Sequence, residues 1–431
     1  MRSLWQQKVT LPSFEPLRGD ISADVLIIGG GLAGLLTAFL LKSKGIDCVL
    51  LEKERILNGT TANTTAKITP QHGLIYHKIL KAYGKSFAKA YYIANLEARE
   101  RLINLCHRFS CNVELKDNFV YSKDKFELES EFEALEALGA SPLFKEDVPL
   151  PFIVSGAVGL KDQAQFNPLD LCSHLIKHLR IYENSWVREM IGTTAVTDFG
   201  KVKAKKVVVA THFPFINKHG SYFLKLYQHR SYILALENVG RLNEMYVDND
   251  KKGLSFSSFG DILLLGGGGH RTGKKGGSFG ELETFRIMHY PHSKEVSRFS
   301  AQDTMSLDDI PYIGNYSGNT PDMYVATGFN KWGMTGSMLS AEIISGEMSG
   351  ERKAYAQVFS PSRSILKPQL LINGFETVVN LITPTLKRCP HLGCALKYNP
   401  YEHSWDCPCH GSRFDEMGKV LENPANGDLK S

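Results

Sequence analysis

Short apolar runs interrupted by glycine-rich turns mark the start of the chain. The run from Val25 to Ile28 predicts a buried strand, GLAGLLTAFLL (31–41) a helix, and DCVLLE (47–52) a second strand. Later, AKKVVVATHFPF (204–215) predicts a buried strand, and DMYVATGFNKWGMTGSMLSAEIISG (322–346) predicts a strand, a glycine turn and an amphipathic helix. Strands that alternate with helices predict an α/β fold around a parallel sheet.

Three other segments follow different patterns. HRSYILALE (229–237) and GLSFSSFGDILLLGG (253–267) predict antiparallel strands, which would form a separate substrate lobe. LLINGFETVVNLITPTLKR (370–388) predicts one amphipathic helix or strand that stops at Pro384. These segments indicate that the parallel sheet is only part of the molecule.

Length and composition limit the possible classes of protein. A chain of 431 residues, 43% hydrophobic and 22% charged, predicts two or three globular domains. The net charge is only +5, and the basic stretch KVKAKK (201–206) leads straight into an apolar strand, so we expect no nucleic-acid partner. No apolar run reaches the ~20 residues of a transmembrane helix, and residues 1–20 lack the apolar core of a secretory signal. We therefore expect a cytoplasmic protein.

The first strand–turn–helix unit has the spacing of a dinucleotide site. Gly29, Gly31 and Gly34 fill the pattern G-x-G-x-x-G, which permits a sharp turn, close approach of a pyrophosphate, and close packing of the helix. The N-terminus of the helix favours the phosphates. Glu52, at the end of the second strand, can accept hydrogen bonds from both ribose hydroxyls. The motif predicts a nucleotide cofactor but leaves FAD and NAD open.

The segment NGTTANTTAKITPQHGLIY (58–76) favours FAD. It is a long run of small hydroxylic residues after Glu52, which suits a backbone wrapped around phosphate and ribitol groups. A plain surface loop is the alternative.

These motifs, with SAQDTMSLDDIPYIG (300–314) and ATGFNKWGMT (326–335), resemble the D-amino-acid-oxidase-type FAD oxidoreductases over about residues 20–350. The resemblance implies noncovalent FAD, since GFNKWGM contains no cysteine for a covalent flavin link. The cofactor contacts expected from the motifs and the resemblance together are Gly29, Gly31, Gly34, Glu52, Lys53, Thr64, Thr65, Ala66, Lys67, Val187, Gly328, Trp332, Gly333, Met334 and Thr335.

The expected domain organisation follows from this resemblance. The FAD lobe is discontinuous, with segments at about 20–85, 160–220 and 300–350. A substrate lobe with an antiparallel sheet takes about 86–159 and 221–299. A linker at 351–388 leads to a small all-β module at 389–431.

The final residues contain a cysteine and histidine cluster. CPHLGC (389–394) and CPCHGSRF (407–414) offer Cys389, His391, Cys407 and His410, one thiolate and one imidazole from each loop. Two cysteines on one iron and two histidines on the other is the ligation of a Rieske [2Fe–2S] centre. A structural zinc site made of four cysteines, or of two cysteines and two histidines, is the alternative.

The two loops are similar to the Rieske signature, and this resemblance implies further features. Cys394 and Cys409 would form a disulfide, and the Ser412 hydroxyl would hydrogen-bond a cluster sulfur. Position 414 is Phe where the high-potential members have Tyr, so we expect a lower potential. Other FAD–Rieske fusions have about 40 further residues of supporting strands before the first ligand loop, and we expect this chain to lack them before Cys389.

The predicted function is that of an FAD-dependent oxidoreductase. It would oxidise an amine, amino acid or hydroxy acid and pass electrons from the flavin through the cluster to an unidentified acceptor. His72, Tyr232 and Arg298 are weak candidates for catalytic residues. The alternatives are an NAD(P)H-driven flavin reductase and a non-enzymatic redox sensor.

Overall fold

The first predicted strand lies at the centre of a parallel sheet in the computed structural model, which describes residues 2–250 and 252–429. In sheet order the strands are Tyr312–Asn315, Met323–Thr327, Lys201–Val209, Ile21–Ile28, Cys48–Leu51 and Arg180–Tyr182, with Glu189–Ile191 and Thr194–Val196 added beside Lys201–Val209. The central strand pairs in parallel with both neighbours, so that Ile27 lies between Leu50 and Val208. The apolar runs are strands buried on both faces, as parallel sheets require.

Helices cover this sheet and the space between the sheets. Leu32–Ser43 packs against Gly333–Ser349, and both helices are almost entirely buried, which explains their apolar composition. The α-helices of the described residues are Leu4–Lys8, Leu32–Ser43, Tyr76–Tyr83, Lys85–Arg108, Lys125–Ala137, Pro168–Leu175, Tyr222–Lys225, Phe279–His289, Gly333–Ser349 and Pro368–Ile382, and 3-10 turns are Thr60–Ala62, Ile176–His178 and Ala354–Phe359. None of these helices is both long enough and apolar enough to cross a bilayer.

A second, mostly antiparallel sheet forms the other lobe. Its strands in order are Lys294–Ser306, Leu226–Glu237, Ile262–Arg271, Ser255–Phe259, Met245–Asp248, Val113–Ser122, Gly156–Phe166 and Lys67–Ile68, with Leu143–Lys145 beside Gly156–Phe166. The lobe boundaries predicted near residues 160 and 300 fall inside Gly156–Phe166 and Lys294–Ser306, and both strands belong to the antiparallel sheet. A parallel α/β sheet beside an antiparallel sheet is the architecture that the sequence predicts.

The C-terminal module is a third, small sheet. Its antiparallel strands are Lys397–Asn399, Ser404–Asp406, Arg413–Asp415 and Val420–Glu422. Its apolar core is small and includes the cysteines of both loops, together with Leu396, Phe414 and Val420. The structure describes no strand between the helix Pro368–Ile382 and Cys389. The helix itself packs on the two cysteine and histidine loops, where its Glu376 carbonyl contacts Cys409. The segment predicted as a linker, 351–388, therefore contains this helix and a 3-10 turn.

Candidate functional site

The glycine turn has the close contacts that its sequence requires. Gly29 has φ +113°, and a Cβ atom there would lie 2.4 Å from the carbonyl oxygen of Ala210. A Cβ atom on Gly34 would lie 2.0 Å from the carbonyl oxygen of Gly29, so the helix packs on the turn only because both residues lack side chains. Gly31 faces open space, with Thr61 Oγ1 as its nearest neighbour at 3.5 Å. The backbone is thus exposed where a pyrophosphate would bind.

Glu52 closes the same turn from the second strand. One carboxylate oxygen accepts a hydrogen bond from the amide of Gly30 at 2.7 Å, and the other accepts from the amide of Glu54 at 3.0 Å. Burial raises the pKa of this carboxyl, and the two amide hydrogen bonds act against that increase. The side chain is therefore fixed in place beside the turn.

A cavity of about 440 Å³, the nucleotide cavity, begins at this turn. Among the predicted cofactor contacts it is lined by Gly29, Gly31, Glu52, Lys53, Val187, Gly333 and Met334. The Leu32 amide at the start of the helix donates to Thr61 Oγ1 at 3.1 Å. An exposed glycine backbone, a helix N-terminus whose N-cap Gly31 has no side chain, and a fixed carboxylate fit a dinucleotide.

The C-terminal module also lines this cavity, with Leu421, Glu422, Asn423, Ala425 and Asn426.

A second cavity of about 220 Å³, the substrate cavity, continues from the first. The two cavities share lining residues, namely Thr60, Asn63, Ala301, Asp303, Asn330 and Met334. Predicted contacts in the substrate cavity are Thr64, Thr65, Lys67, Trp332 and Met334. The structure thus brings the predicted hydroxylic loop and the GFNKWGM turn together around one continuous space.

Four predicted contacts lie outside the two linings, in supporting positions. Gly34 lies under the turn, Ala66 is buried with φ +54°, and Gly328 is held at φ +71°. Thr335 joins two parts of the site, because its hydroxyl donates to the carbonyl oxygen of Thr69 at 2.9 Å and accepts from the Thr69 amide at 3.2 Å. A direct contact of these four residues with FAD stays a prediction.

Lys67 is the buried cation of the substrate cavity. Burial lowers the pKa of its ammonium to about 7, and the nearby Lys116 acts in the same direction. Its Nζ donates to Thr65 Oγ1 at 3.0 Å. Near neutral pH this group can hold a proton opposite an anion or accept one.

The three candidate catalytic residues have different surroundings. His72 Nε2 donates to the carbonyl oxygen of Thr69 at 2.9 Å, so its Nδ1 accepts from Tyr91 Oη at 2.7 Å. Burial also lowers the pKa of His72 to about 3. With both nitrogens occupied and the ring stacked on Trp332, these contacts favour a structural role for His72.

Tyr232 and Arg298 lie on neighbouring strands but in different surroundings. Tyr232 is buried and lines the substrate cavity, where its hydroxyl lies 3.1 Å from His270 Nε2 and 3.2 Å from Glu402 Oε2. Arg298 pairs at 2.6 Å with both Glu283 and Glu295. It lines neither cavity, which favours a structural role for Arg298.

The four predicted cluster ligands converge at the C-terminal loops. Cys389 and Cys407 are in side-chain contact, and the rings of His391 and His410 lie 4.9 Å apart between centroids. The pKa of Cys407 is held well below its ordinary value because neighbouring thiols donate hydrogen bonds to it. The structure thus brings together two thiols and two imidazoles from distant positions in the sequence.

Each of the two histidines has one ring nitrogen that is available to ligate a metal. Both Nδ1 atoms are buried and have no hydrogen-bond partner. Burial lowers the pKa of His391 to about 3 and also lowers that of His410, so both rings are neutral, as ligation requires. The pKa of Cys389, in contrast to that of Cys407, is raised because the Cys389 thiol donates to Cys407 and is buried. Two cysteine sulfurs and two neutral imidazoles are the ligand set of a Rieske [2Fe–2S] centre.

The other residues predicted from the Rieske resemblance lie around these ligands. The sulfurs of Cys394, Cys407 and Cys409 lie within 4.8 Å of one another, while all eight cysteines of the chain are free thiols. The predicted Cys394–Cys409 disulfide is thus not formed in this structure and stays a prediction. Ser412 contacts the Cys389 side chain, and a hydrogen bond from its hydroxyl to a cluster sulfur stays a prediction. Phe414 is fully buried and offers no hydrogen bond to a cluster.

The imidazole edge of the cluster site faces the flavin lobe. His391 Nε2 donates to Asn217 Oδ1 at 2.8 Å, and the His410 ring bonds to the backbone of Phe223. The Phe213 ring lies 6.2 Å from the His391 ring and 6.3 Å from the His410 ring, between centroids. The His410 side of this edge is therefore buried, while His391 is partly exposed and Asn217 is exposed to solvent.

Sequence analysis missed the residues that join the module to the antiparallel sheet. Glu402 accepts hydrogen bonds from Arg230 Nε at 2.5 Å and Ser300 Oγ at 3.0 Å. Arg413 pairs with Glu402 at 3.3 Å and with Asp406 at 3.0 Å. Nothing in a single sequence pairs residues 230 and 402, since their contact exists only after the module docks.

The chain belongs to the FAD dependent oxidoreductase family (DAO), whose model matches residues 24–346, and it carries a Rieske [2Fe-2S] domain over residues 379–431. It is therefore an FAD-dependent oxidoreductase, and the two families imply FAD and a [2Fe–2S] cluster. This confirms the predicted family, enzyme class and cofactors.

A relative similar over nearly the whole length is YhfW of Bacillus subtilis (strain 168), whose name describes a Rieske 2Fe-2S iron–sulfur protein. It is 32% identical over 498 aligned positions, covering 99% of this chain and 96% of the relative. Similar solved structures are glycine oxidase from Geobacillus kaustophilus (TM-score 0.66, 18% identity, 80% of this chain and 99% of that one) and L-proline dehydrogenase from P. horikoshii (TM-score 0.68, 16%, 80% and 98%). These structures show the fold.

We expect Glu52→Ala to weaken FAD retention at least about tenfold. Hydrogen bonds to a charged group contribute about 1.5–3 kcal/mol each, and the variant also leaves the Gly30 amide unpaired. FAD content after gel filtration, and the dissociation constant by fluorescence titration, measure the effect. Asp47→Ala is the control, because Asp47 pairs with Arg180 at the opposite end of the same strand. Equal FAD retention in Glu52→Ala and wild type would refute the assignment.

Proposed function

We propose that this protein oxidises an amino acid, an amine or a hydroxy acid and passes the electrons from the flavin through the Rieske cluster to a carrier. When bound, FAD accepts an electron pair from the substrate and the cluster carries electrons singly. The chain supplies the cavity that orients the substrate and the contact that joins the two cofactor sites. We retain the prediction that this takes place in the cytoplasm.

One observation supports the electron route above all. The segment Thr211–Phe213 lies between the two cofactor sites, since Thr211 and His212 line the nucleotide cavity while Phe213 packs against both cluster histidines. Asn423 of the module donates to the carbonyl oxygens of Thr211 at 2.5 Å and Phe213 at 2.8 Å. Because electron transfer weakens steeply with distance, a single segment that touches both sites supports direct transfer within one chain.

The substrate class is supported by the cavity and by similar folds. Lys67 offers a buried cation for a substrate carboxylate. The negative charge of that carboxylate would raise the pKa of Lys67 above about 7 and keep the lysine protonated. Glycine oxidase and L-proline dehydrogenase, by their names, act on amino acids. We therefore place amino acids first among the substrates to test.

The test is an anaerobic screen of amino acids, amines and hydroxy acids against the holoprotein. The expected result is flavin bleaching by one of these classes, followed by the paramagnetic signal of a reduced Rieske cluster. The second step should be first order and independent of protein concentration, since both sites lie in one chain. A concentration-dependent second step would refute internal transfer. Bleaching by NADH alone would indicate a flavin reductase, and no bleaching by any donor would indicate a redox sensor.

A further inference from the structure

The helix Pro368–Ile382 is amphipathic, but its polar face is buried and its apolar face is exposed. Its polar positions Asn373, Glu376 and Asn380 face the module and the antiparallel sheet. Asn373 Oδ1 accepts from Arg271 at 2.9 Å, the Glu376 carbonyl contacts Cys409 Sγ at 3.9 Å, and the Asn380 carbonyl accepts from the Ala395 amide at 2.9 Å. A helix on a globular protein normally turns its apolar face inward. Here the polar face is used for packing.

The outward face is an apolar stripe, defined by Leu371, Ile372, Phe375, Val378, Leu381 and Ile382. Its members recur at helical spacing, and Leu371, Phe375 and Ile382 are 77%, 69% and 73% exposed. Leu366 and Leu386 extend it at both ends, with 83% and 103% exposure. An apolar surface of this extent marks a binding surface, because its exposure to water is costly.

Charge around the stripe has one sign. In residues 366–388 the basic side chains are Lys367, Lys387 and Arg388, and the one carboxylate is Glu376. That carboxylate is turned inward and paired with Lys274 at 2.5 Å. The ammonium groups of Lys367 and Lys387 lie over aromatic rings, and Arg388 donates to backbone carbonyls, so the three charges are held close to the ends of the helix. The helix is thus apolar in the middle and positively charged near its two ends.

We propose that the apolar stripe docks on the surface of an anionic lipid bilayer. The pattern is that of an interfacial helix, whose apolar face enters the acyl boundary while basic side chains meet the headgroups. A 15-residue helix is about 22 Å long, enough to lie in the interface and too short to span it. The proposal does not depend on the electron route.

The composition of the stripe favours lipid over a protein partner. The central parts of protein interfaces are enriched in Tyr, Trp, Phe, Met and Arg, of which Tyr, Trp and Arg also supply hydrogen bonds. The stripe contains only aliphatic side chains and Phe375, so it offers a partner no polar contact. Since the helix covers Cys409, docking would bring the cluster to within one helix of the bilayer. If the electron route also holds, a carrier dissolved in lipid could accept its electrons.

The test is cosedimentation of the holoprotein, without substrate, with vesicles of phosphatidylglycerol and phosphatidylcholine or of phosphatidylcholine alone. We expect at least about tenfold tighter binding to the anionic vesicles, decreasing with salt. The triple variant Leu371→Gln/Phe375→Gln/Ile382→Gln should lose at least about tenfold while keeping its flavin and cluster spectra. Ile153→Gln, which removes a 92% exposed apolar side chain elsewhere, should bind like wild type.

Several outcomes would overturn the proposal. They are no binding of the wild type to either vesicle, equal binding to both, or binding that the triple variant retains. Light scattering supplies a further outcome, since a wild-type dimer that the triple variant converts to a monomer would assign the stripe to a second copy. None of these results depends on substrate oxidation, so they are separate from failure of the proposed function.

Discussion

Cys407→Ser should abolish the reduced Rieske signal and leave the FAD content unchanged. Cys407 is fully buried, and its side chain contacts Cys389, Cys394 and Cys409, at the point where the two ligand loops meet. A serine hydroxyl keeps its proton at neutral pH and is a poor ligand for iron, whereas the low pKa of Cys407 favours the thiolate. The hydrogen bonds that fix Glu52 at the glycine turn are all made within the FAD lobe, so we expect them to remain intact.

The measurement is iron, acid-labile sulfide and FAD per chain in anaerobic preparations, with the paramagnetic spectrum after reduction. Wild type should contain about two irons and two sulfides, as a [2Fe–2S] centre requires. Cys48→Ser is the control, because Cys48 is a buried thiol of the FAD lobe that donates to the Ala38 carbonyl at 3.6 Å, a bond that serine can also make. One tightly bound zinc and no labile sulfide in the wild type would refute the cluster.

Glu402→Gln should destabilise the docked module by about 3 kcal/mol, the free energy that corresponds to the lowered pKa of Glu402. The Glu402 carboxylate lies between Arg230 and Arg413, whose side chains are only 5% exposed. The substitution leaves Arg230 paired with Glu422 and Arg413 paired with Asp406, so it weakens the buried network without leaving either arginine unpaired. Burial acts to raise the pKa of Glu402, but hydrogen bonds and the charges of both arginines outweigh it and lower the pKa to about 2. Denaturant unfolding followed by cluster absorbance measures the change.

The pH dependence of this effect has a definite sign. Because the pKa of Glu402 is lower in the folded protein than its ordinary 4.5, its ionisation contributes about 3 kcal/mol above pH 4.5, and this is lost as the pH falls toward 2. The difference between wild type and Glu402→Gln should therefore decrease over that range, measured by tryptophan fluorescence. Glu416→Gln, at an exposed pair with His403, should change stability little. Equal effects of the two substitutions would contradict a buried network.

Local sequence patterns were sufficient to predict the two cofactors. The turn at Gly29 and Gly34 is fixed by backbone contacts that admit no side chain, so its spacing alone predicts it. The cluster site is likewise predicted by its residue types, because few side chains ligate iron. Its predicted ligands are Cys389, His391, Cys407 and His410. The helix at Pro368–Ile382 was only half predicted, since an apolar pattern over 370–388 fitted a helix or a strand equally well.

The individual roles within the flavin lobe depend on long-range contacts. His72 was a candidate base from its residue type, but both of its ring nitrogens are hydrogen-bonded, one to Tyr91 and the other to Thr69. Arg298 is held by two carboxylates outside the cavities. A sequence cannot show whether a polar side chain is already satisfied, because its partners come from distant segments.

The sequence by itself determined the two cofactors, since each is held by a local motif whose residue types the chemistry dictates. Only the tertiary structure decided how they are related. It placed Phe213 against both cluster histidines and buried Glu402 between Arg230 and Arg413. It also turned the apolar face of Pro368–Ile382 outward, because docking on the cluster loops used the polar face. Hydrophobic periodicity fixes which residues share a face of a helix, and only packing fixes which face is buried.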